Sequence, residues 1–141
     1  MSSYQNRAHA MDVMYWSEPA PVILPKDLPS LYDFACDKIG RGQPVDYLEF
    51  GVAHGKSMRE MVSLFTNPGA RFYGFDSFIG LPEKWLMHDV GAFSNQGLFP
   101  AVSDDRVEFV KGWFQNSVPP FFARFNKDPG RPTLIHFDAD L

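Results

Sequence analysis

Apolar residues recur along this chain in two rhythms, one helical and one extended. Leu28, Leu31, Phe34, Ala35 and Ile39 fall at helical spacing, and Gly40 and Gly42 mark the stop. Val45 to Phe50 reads as a first strand. Gly55 to Phe65 reads as a helix carrying Met58, Met61, Val62 and Phe65 on one face. Asn67-Pro68-Gly69 is a strong turn signal, and Arg71 to Phe75 gives a second strand ending at Asp76. Arg106 to Val110 is a third strand, and Trp113 to Phe125 a helix broken at Pro119-Pro120. Thr133 to Phe137 is a fourth strand, apolar enough to be buried on both faces. Strands alternating with crossovers predict an α/β fold with a parallel sheet and right-handed connections.

Two segments fit neither rhythm. Residues 1–26 are polar and carry Pro19, Pro21 and Pro25, which predicts an irregular arm. Residues 77–104 mix Gly80, Pro82, Gly91, Gly97 and Pro100 with several aromatics, so they predict a long connection of functional rather than disordered character. Composition narrows the class further. The 141 residues make one domain by length, 45% hydrophobic and 16% aromatic with 14 Phe, which is a globular composition. A net charge of -4 with scattered Lys and Arg leaves no basic footprint for nucleic acid. The lone Cys36 excludes an internal disulfide and reads as a small core residue. No run is apolar or long enough for a signal peptide or a membrane span, so the cytoplasm is the expected compartment.

The stretch Asp46-Tyr-Leu-Glu-Phe-Gly-Val-Ala-His-Gly-Lys-Ser57 carries the densest chemistry. It runs from a strand through Glu49, Gly51 and Gly55 into a helix, whose first N–H groups and dipole attract a ligand. Glycine there permits a tight turn and a close approach. Gly55-Lys56-Ser57 resembles the end of a phosphate-binding P-loop, but Phe50 stands where its first glycine belongs. The dinucleotide fingerprint fails as well, because Ala53 and Lys56 occupy its second and third glycine positions. The spacing Glu-x-Gly-x-x-x-Gly-x-Ser is matched throughout; a bare strand-to-helix turn is its plain alternative.

Ligands of open α/β sheets bind beyond the carboxyl ends of the strands. Those ends supply Glu49, Asp76, Gly112, and Asp138 with Asp140. Asp76 follows Gly51 at the distance where an acidic residue meets a ribose hydroxyl pair, although Asp76-Ser77 also suits a simple turn. Asp138-Ala-Asp140 suits Mg²⁺, or equally a solvated acidic strand end. His54, His88 and His136 have no metal-ligand spacing and read as structural or surface residues.

Taken in order, Tyr47–Ser57, Phe75-Asp-Ser-Phe-Ile-Gly-Leu-Pro-Glu83, Val110-Lys-Gly-Trp-Phe114 and Ile135-His-Phe-Asp-Ala-Asp-Leu141 resemble the macrocin O-methyltransferase group of class I methyltransferases. Gly91-Ala-Phe-Ser94, Gly97, Phe99 and Pro100 extend the likeness, which covers residues from about 45 to 141. The resemblance implies a seven-stranded Rossmann-like fold, of which these residues supply about four strands. It also implies methyl transfer from S-adenosylmethionine to a hydroxyl of a small molecule or sugar, with Mg²⁺ assistance. By position it assigns Glu49, Gly51 and Gly55 to the methionine end of the cofactor site and Asp76 to the ribose, with Ser57 and Ser77 also among the cofactor-binding residues. It puts Gly112 and Trp113 near the adenine and makes Asp138 the catalytic aspartate and metal ligand.

The group usually has a helix between its second and third strands, for which this chain has little room. Its later strands and further metal ligands fall beyond Leu141. The expected division is an arm and helix at 1–44, then a partial methyltransferase domain at 45–141. The expected partners are a small-molecule acceptor, with no nucleic acid and no membrane. An unpaired fourth strand leaves self-association open. The alternatives are a cofactor-binding or regulatory module without catalysis, and a nucleotide-dependent oxidoreductase.

Overall fold

The computed structural model describes residues 28–139; the arm expected at 1–26, and Asp140, lie outside them. Chain order is α1 (Leu28–Ile39), β1 (Asp46–Phe50), α2 (Lys56–Leu64), β2 (Arg71–Asp76), β3 (Val107–Lys111), α3 (Phe114–Arg124) and β4 (Thr133–Phe137). All strand pairs are parallel, in the order β3-β2-β1-β4. The chain therefore winds outward from β1 to β3 and then returns past β1 to lay down β4. This is the expected Rossmann-like α/β arrangement, with its direction of winding reversed between β1 and β4.

Period-two alternation along the strands divides the core into two layers. Tyr47 and Phe72 face Met58, Met61 and Phe65, together with Tyr32 and Cys36 of α1. Leu48, Phe50, Tyr73 and Phe75 face the other way, onto Phe121 of α3. A Cβ on Gly74 would come within 2.9 Å of the Met58, Val52 and Phe109 side chains, so its absence lets α2 lie close on the sheet. At the opposite end of β1, the fully buried Asp46 is held by Arg71 at 2.8 Å and Arg131 at 3.1 Å.

Three expectations change. The buried stripe of α1 is Tyr32 and Cys36, with Ile39 packed beside it, while Leu31, Phe34 and Ala35 are only half-buried. Helix α3 runs unbroken through Pro119 and Pro120. Both prolines are exposed, as are Gln115 and Asn116, whose carbonyls lose the N–H donors, so this turn of the helix faces solvent that can take up the lost bonds. Phe121 then wedges the helix against Tyr73 and Phe75, ring centroids 5.0 and 4.8 Å away. Strand β4 is not buried on both faces: Thr133, Ile135 and Phe137 are exposed, because α3 packs over β2 and β3 instead.

Between Asp76 and Val107 there is neither helix nor strand. Turns and single backbone pairs order this segment. The Phe78 carbonyl accepts the N–H groups of Asn95 at 3.0 Å and Gly97 at 2.7 Å, and the Phe78 ring is buried against Phe99 and Phe109.

Candidate functional site

The strands finish together at one edge of the sheet. The Gly51 N–H donates to the Phe75 carbonyl, the Gly112 N–H to the Asp76 carbonyl and the Asp138 N–H to the Phe50 carbonyl, each at 2.9 Å. A cleft of about 940 Å³ opens beyond this edge, at the reversal point of the sheet where small ligands bind in such folds. Of the residues the sequence singles out, Gly51, Ser57, Asp76 and Ser77 border it from β1, α2 and β2. Gly112, Trp113 and Asp138 border it from the ends of β3 and β4.

Glycine is required at 51. Its φ is 93°, and a Cβ would stand 2.2 Å from the Asp138 carbonyl oxygen. The loop that follows is clamped by Asp76, whose Oδ2 accepts the N–H groups of Val52 and Ala53 at 2.8 Å each. Its Oδ1 accepts the Phe78 N–H at 2.7 Å. Ala53 holds a left-handed backbone, φ 47°, against its intrinsic preference, and the Asp76 bond fixes it there.

Glu49 and Gly55 do not reach the cleft wall. Gly55 is buried at the start of α2, where a Cβ would lie 2.9 Å from Pro100. Glu49 is fully buried beneath the cleft. The Ser57 hydroxyl donates to its Oε1 and the Tyr47 phenol to its Oε2, the latter at 3.1 Å. The Tyr47 oxygen also lies 2.9 Å from His136 Nδ1. Burial pushes the Glu49 carboxyl up to about 7, and its bonds to Ser57 and Tyr47 limit the rise. Burial and the Glu49 charge raise the Tyr47 phenol, which therefore stays protonated as a donor. Burial lowers His136, and the charge of Asp138 opposes that shift.

Several bordering residues had no sequence signal of their own. Tyr32 reaches the cleft from α1, and Lys56 and Glu60 from α2. Trp85 and Phe93 of the long connection complete the outer wall, where the usual helix between the second and third strands is missing. His88 stacks near Trp85 and Phe93, and His54 lies at the exposed rim.

The donor set does not fit Mg²⁺ on its own. Octahedral Mg²⁺ sites draw on more than one fixed oxygen group. Asp138 is exposed at the cleft, and no group of three His, Cys, Asp or Glu among the described residues could hold a metal ion. Among the described residues, no helix is long and apolar enough to cross a membrane.

No protein-family model matches this chain. It is similar to the 8-demethyl-8-(2,3-dimethoxy-alpha-L-rhamnosyl)-tetracenomycin-C 4'-O-methyltransferase of Streptomyces olivaceus, with 28% identity over 125 residues. The match covers 71% of this chain and 44% of that enzyme, so the chain spans less than half of the relative's length. This similarity supports a methyltransferase relationship, in keeping with a cleft at the carboxyl edge of a Rossmann-like sheet.

Proposed function

We propose that this chain binds S-adenosylmethionine in the strand-end cleft and belongs to an O-methyltransferase acting on a hydroxyl of a sugar or other small molecule. The observation that carries the reading is the meeting of Gly51, Asp76, Gly112 and Asp138, from four strand ends, around one cleft at the reversal point. The similar enzyme methylates a rhamnosyl-bearing tetracenomycin by its name, which favours a glycoside acceptor.

S-adenosylmethionine supplies an electrophilic methyl group that moves to the acceptor oxygen as the hydroxyl proton is lost. Gly51 and Gly112 leave the wall free of Cβ atoms, so that a bound cofactor could approach the backbone there. Asp76 rigidifies the loop at 52–53, and its remaining acceptor capacity would hold the ribose hydroxyls. Ser57 and Ser77 border the cleft and would flank the cofactor, and Trp113 would offer an aromatic face to its base. Glu49 acts from below: it holds Ser57, and its negative form favours the cationic methionine end of the ligand.

Asp138 stands at the acceptor side, where it orients the hydroxyl and stabilises the departing proton.

Incubation with methyl-labelled S-adenosylmethionine and a panel of glycosides tests the catalytic part. Transfer of label to a glycoside that is lost in Asp138→Ala is expected. Tight cofactor binding with no transfer to any hydroxyl acceptor would favour the binding-module reading.

A further inference from the structure

The connection between β2 and β3 carries a feature that folding alone does not reward. Trp85 and His88 pair in antiparallel fashion, with N–H to carbonyl distances of 3.0 and 2.8 Å, which closes a two-residue turn at Leu86-Met87. Hairpin turns of this length favour Asn-Gly, Asp-Gly or a glycine in first place, because the backbone must enter positive φ. Here Leu86 takes φ 50°. Leu86 is also 75% exposed and Met87 92% exposed. The chain thus accepts backbone strain in order to hold two apolar side chains in water, a combination that marks a contact surface.

The base of this arm is rigid. Leu81 and Ala92 bond at 3.0 Å, Gly91 and Leu81 at 2.9 Å, and a Cβ on Gly80 would meet the Ala92 and Gly91 carbonyls at 2.5 Å. The tip is also continuous with the cleft. Trp85, one residue before the tip, borders the cleft, as does Phe93, itself at φ 62°. His88 links them, nearly parallel to Trp85 at 10° and 4.7 Å from the Phe93 ring. An aromatic face therefore runs from the cleft wall to the apolar tip. Its charged neighbours are Glu83, Lys84 and Asp89, net negative, which opposes an anionic lipid surface.

We propose that the arm from Trp85 to Phe93 is a subsite for the apolar, planar body of the acceptor, with Leu86 and Met87 selecting acceptors whose reacting hydroxyl is attached to such a body. The assignment rests on the methyltransferase reading, and S-adenosylmethionine titration is kept as a separate arm so that the two can fail independently. The full chain and its Leu86→Asn/Met87→Gly variant, which installs the turn's preferred residues, are titrated with 2-naphthyl and methyl α-L-rhamnoside in the presence of S-adenosylhomocysteine. The wild type is expected to bind the naphthyl glycoside at least about tenfold tighter. The variant should lose most of that preference while its S-adenosylmethionine affinity is unchanged. Equal binding of the two glycosides by the wild type, or a preference intact in the variant, overturns the proposal. So does a variant effect confined to sedimentation or to capture by phosphatidylcholine vesicles, which would assign the tip to a second copy or to a membrane. Absence of S-adenosylmethionine binding in both proteins instead sinks the underlying reading.

Discussion

The carboxylate of Asp76 accepts three backbone N–H groups, from Val52, Ala53 and Phe78, and so joins the glycine loop after β1 to the start of the long connection. Asn in its place would turn an NH₂ group toward one of those donors. Asp76→Asn should lower stability by about 2–3 kcal/mol in urea unfolding and weaken S-adenosylmethionine binding at least about tenfold. Glu49 predicts a pH effect of definite sign. Its folded value near 7 lies above its ordinary 4.5, so the native state binds the proton more tightly than the unfolded chain. Its contribution to stability is fully present below 4.5 and is lost as pH rises to about 7, amounting to about 3 kcal/mol. Glu49→Gln should flatten the fall in Tm across that window, and a Tm slope unchanged by the substitution would show that Glu49 is ionised throughout. Sequence spacing put Asp76 and Gly51 at strand ends, where both border the cleft, because their positions depend on neighbours along the chain. Glu49 lies below Ser57 rather than on the cleft surface, because alternation places it on the α2 side of the sheet. Tyr32 was missed because its contact with the cleft depends on how α1 lies over the sheet.

At the scale of elements, the period-two and helical patterns located the four strands and three helices among the described residues to within a residue or two. What they could not specify was context. Thr133–Phe137 reads as a doubly buried strand, yet hydrophobicity does not say which strand the next helix covers, and α3 lies over β2 and β3. The Pro119-Pro120 pair reads as a break, yet exposure of the freed carbonyls removes most of the penalty. This predicts that Pro120→Ala, which restores a donor within an intact helix, raises stability by about 1–2 kcal/mol, measured by the urea midpoint. A lower midpoint would mean that the proline's rigidity matters more than the missing bond. The 77–104 connection was legible as ordered from its aromatics, but its arm was not. A two-residue hairpin at Leu-Met carries none of the glycine or asparagine that announces such a turn.

The molecule as a whole places its cleft at the reversal between β1 and β4, the edge where ligands bind in open α/β sheets. The glycine loop at 46–57 is then one wall of a cleft, with the strand ends of β2, β3 and β4 forming the rest. Similarity to a rhamnoside O-methyltransferase adds a direction to the chemistry, over 44% of that enzyme's length. Cofactor identity is the claim on which all the rest depends. Calorimetric titration of the full chain with S-adenosylmethionine, beside a matched titration with NAD, tests it most directly. Saturable heat at one site per chain with S-adenosylmethionine, and none with NAD, is the predicted result. Saturable heat with NAD alone, or with neither ligand, would contradict it.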